Sequence, residues 1–187
     1  MPEPFAPKIM NIEKLKYPIG DFVIPKRISS AELENCINQI EEFPSRILAV
    51  TNALSVDELN YIYRPDGWSI KKVVHHCADS HINAFVRTKL ALTEILPVIK
   101  PYKEAVWANL VDGITDDISD SLLIIKGVHA KWTLLLNSLS KSDLEREFYH
   151  PENNKNYKLK EVIAIYSWHC NHHLAHIEQA LFYKNKF

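Results

Sequence analysis

The sequence predicts an all-α fold, a bundle of four helices preceded by an irregular, proline-rich arm. Three observations carry that expectation. Four segments repeat apolar residues at the three- and four-residue spacing of a half-buried helix, whereas period-two strand patterns are weak throughout. The first 25 residues hold five of the ten prolines, which fix φ and remove amide donors. A faint internal repeat pairs the second helix with the fourth, and these two carry most of the histidines.

The arm, residues 1–28, is expected to be extended. Phe5, Ile9, Met10, Tyr17, Ile19, Phe22, Val23 and Ile24 make it too apolar for a free tail, so it should pack on the bundle or on a partner subunit. The bundle then occupies residues 29–187. Its first helix opens with Ser29 or Ser30 as N-cap and carries Leu33, Ile37, Ile40 and Phe43, running past Pro44 toward Leu54. The second opens at Ser69, carries Ile70, Val73, Val74, Cys77, Ala84, Ala91 and Ile95, and stops before Pro97. The third spans roughly Ser119 to Leu139, with Leu122, Ile125, Val128, Trp132 and Leu135 on its apolar face. The fourth runs from about Lys158 to Tyr183.

The repeat sets Leu54-Ser55-Val56-Asp57-Glu58-Leu59 against Leu139-Ser140-Lys141-Ser142-Asp143-Leu144, each reading as a short capped turn. Pro65 or Pro151 follows, and then a helix opens with Ile70-x-x-Val73 or Leu159-x-x-Val162. Two such halves would lay the second and fourth helices side by side, both aiming histidines into one crevice.

Composition excludes several classes of function. The 187 residues suit one domain, and a net charge of -1 gives no reason to expect nucleic acid or an anionic membrane as partner. No apolar run approaches the ~20 residues of a membrane span. The three cysteines (Cys36, Cys77 and Cys170) show no CxxC spacing and read as small core residues or free thiols of a reducing compartment. Met1-Pro2-Glu3-Pro4-Phe5 lacks the features of a signal peptide, so a cytoplasmic location is expected.

Four of the nine histidines fall between positions 169 and 176. His169, His172, His173 and His176 share one helical arc of about 100°. Val162, Tyr166, Ile177 and Ala180 define the buried direction; His169 and His173 lie near it, and His172 and His176 toward its edge. The i, i+4 pair His169/His173 has the spacing by which two imidazoles chelate one ion. A hydrogen-bonded polar seam would show the same spacing. On the second helix His75 points away from the apolar face and should be solvated. His81 lies on the apolar side, as a core histidine would. His76 borders a strip with Asp79, Ser80, Asn83 and Arg87 that suits the wall of a wet cavity. Periodicity leaves His76 and His81 both open as the third ligand. His129 on the third helix could orient a ligand, act as a base or simply pack, and His150 falls in a loop.

A family resemblance bears on that choice. Tyr17-Pro18-Ile19-Gly20, Tyr63-Arg64-Pro65-Asp66-Gly67-Trp68-Ser69, Val73 through His81, Lys89 through Glu94, Lys100-Pro101-Tyr102, Phe148 through Glu152 and Trp168-His169-x-x-His172-His173-x-Ala175-His176 are similar to the YfiT-type branch of the DinB-like superfamily. The likeness covers nearly the whole chain. It implies a DinB-like four-helix bundle in up-down-down-up order, often a homodimer. It also implies one divalent metal per subunit, zinc ahead of nickel, on His76, His169 and His173.

Three neutral imidazoles on zinc leave a fourth position for water or substrate, and such a site lowers the pKa of bound water to about 7 or takes up a thiol. The chain lacks HExxH, so a base would come from Asp79, His172, His176 or the metal site itself. Asp79 could equally orient a ligand or be a surface charge. The first expectation is a metal-dependent hydrolase of a small substrate. A transferase joining a low-molecular-weight thiol to electrophiles, with Asn83, Arg87 and Asp79 holding the thiol compound, is the second. A non-catalytic metal-binding stress-response module is the third.

Overall fold

The computed structural model describes residues 11–187. Phe5, Ile9 and Met10 of the arm lie outside these residues. Within the rest of the arm, Ile12–Lys16 forms a short helix, α1, capped by the Asn11 side chain. The arm is therefore not wholly irregular. Pro18 and Pro25 flank the extended stretch that follows, while Asn11 supplies the acceptor that lets one turn close before them.

The first long helix, α2, spans Ser30–Thr51 and opens with a capping box between Ser29 and Glu32. It continues through Pro44. A proline has no amide hydrogen, so the Ile40 carbonyl four residues earlier loses its helical partner. A second capping box, Ser55 with Glu58, starts the one-turn helix α3, Val56–Leu59. The long helix α4, Ile70–Thr93, follows Ser69. Two further single turns, α5 (Glu104–Trp107) and α6 (Val111–Ile114), break up the connection to α7, Ser119–Asn137. A 3-10 turn at Asp143–Glu145 leads into strands β1 (Glu147–His150) and β2 (Lys155–Lys158), and α8 (Leu159–Tyr183) ends the fold.

The hairpin departs from the sequence expectation. Phe148 pairs with Tyr157 and Tyr149 with Asn156 in antiparallel register. Four-residue strands are too short to display a period, and the pairing is reinforced from outside: the Ile99 amide donates to the Tyr149 carbonyl, and the Tyr149 amide to the Pro97 carbonyl.

Around the bundle α2 packs on α7 and α8, and α4 packs on the same two, which puts α2 diagonal to α4. His75 meets Ser121, His81 meets His129 and Thr88 meets Trp132, so α4 and α7 run parallel. His76 meets His169 while Ser80 meets Tyr166, so α8 runs antiparallel to α4. The core contains Ile40, Phe43 and Ile47 of α2, Val73, Val74 and Cys77 of α4, Ile125 and Trp132 of α7, and Ile163 and Ile177 of α8. Each such large side chain contributes about 1.5–3 kcal/mol by leaving water.

Covered by α6, α7 and α8, the first half of helix α4 has no exposed residue from Ile70 to His81, and a solvated stripe begins only at Ile82. This corrects the expectation for His75, which is buried; one ring nitrogen lies 2.8 Å from Ser121 Oγ and the other 3.1 Å from the Thr115 carbonyl. A helical wheel assumes one buried side, and around His75 the helix is covered on three. Among the described residues no helix is long and apolar enough to cross a membrane.

Candidate metal centre

Antiparallel packing of α4 on α8 brings the second turn of one against the middle of the other. His76 Nε2 lies 3.3 Å from His169 Nε2. The His169 and His173 rings, four residues apart on α8, have centroids 4.4 Å apart, and His173 is 4.8 Å from the His76 ring. One ligand nitrogen from each of the three lies within 4.8 Å of the other two. A tetrahedral zinc with Zn–N bonds of about 2.0–2.1 Å separates its ligand nitrogens by about 3.3 Å. The spacing of His76 and His169 therefore fits one shared ion.

Protonation favours the same reading. Burial, then the neighbouring His172, pulls His76 down to about 4. Burial likewise pushes His169 and His173 well below the ordinary imidazole range, and adjacent imidazoles add to the effect. All three are neutral at pH 7, the form in which imidazole binds metal.

The three rings line a cavity of about 630 Å³, within the usual size for a small-molecule site. Its walls come from distant parts of the chain: Tyr17 of the arm, Trp68, Arg87 of α4, Tyr102, Glu104 of α5 and His150 at the hairpin. Trp68 tilts over His76 at 4.9 Å. Tyr166 Oη donates to the Ser80 carbonyl across the α4–α8 seam at 3.3 Å. A larger groove, about 970 Å³, runs between α2 and α7, lined by Leu48, Leu122, Leu123 and Leu134 without any histidine or cysteine.

The other sequence candidates separate. His172 lines the cavity and stacks on Trp168 at 4.3 Å, and its Nδ1 is buried without a hydrogen-bond partner. His176 lies behind the ligands, stacked on Tyr63 at 3.8 Å, with Nε2 3.0 Å from the Lys16 carbonyl. Both are buried, although the wheel put them at the edge of the apolar face; the arm covers that edge. Asp79 is not among the residues lining the cavity. It is half-buried, its acidity reduced by burial and by Asp112. Of the strip Asn83, Arg87 and Asp79, only Arg87 lines the cavity.

Sequence reasoning did not find how His81 and His129 connect to the centre. They form a second cluster with Cys170, within 4.8 Å. Both nitrogens of each ring are already hydrogen-bonded, and burial pushes the Cys170 thiol far above its ordinary range. Neither imidazole of that cluster has a free nitrogen lone pair for an ion, and Cys170 stays a protonated thiol. Pro44 was the one sequence signal for it, since it frees the carbonyl on which His129 rests.

A four-helix bundle whose facing helices bring three histidines together on one cavity defines the class: a helical domain with a candidate metal site. The chain belongs to the DinB superfamily, whose family model matches residues 39–177. YfiT of Bacillus subtilis is 38% identical over 170 residues, covering 91% of this chain and 96% of that protein, and carries a provisional name as a metal-dependent hydrolase. A similarly named protein of Oceanobacillus iheyensis is 44% identical over 162 residues, covering 87% and 93% of the two chains. The solved structure of the Bacillus subtilis protein, described as "a probable metal-dependent hydrolase with an unusual four-helix bundle topology", superposes with a TM-score of 0.86 at 38% identity, covering 89% of this chain and 95% of that one.

Proposed function

We propose that this domain is a metal-dependent hydrolase of a small substrate, with His76, His169 and His173 holding one divalent ion per chain, zinc ahead of nickel. The observation that carries the reading is the convergence of three neutral imidazoles on the wall of a solvent-connected cavity. A divalent ion there supplies Lewis acidity, which makes water a nucleophile near neutral pH.

The chain's own residues supply the rest. His172 lines the cavity, is held to about 4 chiefly by burial and so is neutral at pH 7, and its unpartnered Nδ1 is our candidate for exchanging a proton with substrate. Trp68, Tyr102 and Tyr157 line the cavity with aromatic surface on which a compact substrate would pack. Arg87 and Glu104 give it one cationic and one anionic group for the polar ends. Two of the three residues that would hold a thiol compound lie outside the cavity, which favours water as the nucleophile over a thiol.

The test pairs metal analysis with turnover. The zinc-reconstituted protein should hydrolyse members of an ester and amide panel without added thiol, and His76→Ala should abolish this. Conjugation of a thiol to a chromogenic electrophile, with no hydrolysis in the panel, would replace this reading with transfer.

A further inference from the structure

Each metal-binding histidine of α8 turns its other ring nitrogen toward a second histidine, and each chain of rings ends on a main-chain carbonyl. His169 Nδ1 lies 3.0 Å from His81 Nε2, His81 Nδ1 lies 2.7 Å from His129 Nε2, and His129 Nδ1 lies 2.6 Å from the Ile40 carbonyl. On the other side, His173 Nδ1 lies 3.4 Å from His176 Nδ1, and His176 Nε2 lies 3.0 Å from the Lys16 carbonyl.

A carbonyl only accepts, and a neutral imidazole carries one proton. The first chain then has one solution. His129 donates from Nδ1, which leaves its Nε2 to accept from His81 Nδ1. His81 is left to accept at Nε2 from His169 Nδ1, so His169 Nε2 is bare. The second chain solves the same way: His176 donates from Nε2 and accepts at Nδ1 from His173, leaving His173 Nε2 bare. We propose that these two relays fix the tautomers of both α8 ligands, so that each presents an Nε2 lone pair to the ion before the ion arrives. His81, His129 and His176 are positioning residues in this scheme.

Both anchors are carbonyls without a helical partner. Pro44 orphans Ile40 within α2, and Lys16 is the last residue of α1, where helical carbonyls have no amide ahead of them. Solvent cannot rearrange the inner relay, because His81 and His129 are buried and Phe43 packs against them at 5.2 and 5.4 Å. In the outer relay the Tyr63 stack fixes the plane of His176. Through Lys16, the N-terminal arm takes part in orienting a ligand on the last helix.

The purpose of the relays rests on the metal reading, but the tautomers belong to the metal-free protein and can be read there. Long-range proton–nitrogen correlation spectra of the full-length apo protein, with 15N-labelled histidine, should show Nδ1–H forms for His169, His81, His129 and His173, and the Nε2–H form for His176. An Nε2–H form at His169 or His173 overturns the proposal. His129→Phe and His176→Phe, which keep the ring shape, should leave a mixed tautomer at His169 and His173 respectively, and weaken zinc roughly 10–100-fold in chelator competition. Unchanged tautomers and affinity in folded variants also overturn it. Failure of zinc to bind the wild-type protein, with the five tautomers as stated, removes the metal reading and leaves the relays standing.

Discussion

Pro44 and His129 share a carbonyl: the proline has no amide hydrogen for the Ile40 oxygen, and the histidine takes it at 2.6 Å. A residue that ordinarily breaks a helix here supplies an acceptor inside the core. Pro44→Ala should restore a competing amide and weaken the hold on His129. Zinc affinity should fall several-fold in chelator competition while helix content by circular dichroism stays the same or rises. Equal affinity in the variant would show that the carbonyl serves both donors.

Acid should destabilise the metal-free protein before any carboxylate is involved. Burial holds His129 and His76 to about 4, whereas in the unfolded chain they titrate at the ordinary value of 6.5. Between these values the unfolded state binds more protons, so stability rises with pH through the window and falls as pH drops. Each such histidine contributes about 1.4 kcal/mol per pH unit within it. Urea midpoints of the apo protein should therefore be lower at about pH 5 than at about pH 7.5. A flat profile would mean that these rings are not held neutral.

Removing a ligand should cost the ion and not the fold. His76→Ala should melt with the apo wild-type protein, and added zinc should no longer raise its midpoint. The wild-type protein should gain about 4 kcal/mol at a zinc concentration 1,000 times the dissociation constant. Differential scanning calorimetry with and without zinc measures both. A variant that unfolds outright would make the site structural.

Trp132 tests the packing behind the site. It is fully buried, donates from Nε1 to Thr88 Oγ1 at 3.1 Å, and stands edge-on to Tyr166. Trp132→Ala should cost about 3–5 kcal/mol by chemical denaturation, through the cavity it leaves. A loss below about 1 kcal/mol would mean that the bundle collapses around the gap.

The sequence showed the four long helices to within a few residues because their apolar positions repeat, and two of them follow serines at the N-cap position, Ser29 with a capping box and Ser69 without a side-chain cap bond. It singled out His169 and His173 by phase, and His76 only through family resemblance. It could not show what covers each helix. His75 looked solvated because nothing in its own helix announces α6, and His81 stayed ambiguous because its partners lie on α7 and α8. The anchors were hidden for a different reason. A main-chain carbonyl has no letter in the sequence, so Ile40 and Lys16 entered only when tertiary structure brought His129 and His176 to them.

The most direct measurement is a cobalt titration of the apo protein, read by visible absorption and by competition with zinc. One equivalent per chain should bind with the intense bands of four-coordinate cobalt, lost in His76→Ala, His169→Ala and His173→Ala taken singly, and kept in His75→Ala. Less than about half an equivalent in the wild-type protein, or full binding in any of the three ligand variants, would contradict the three-histidine centre.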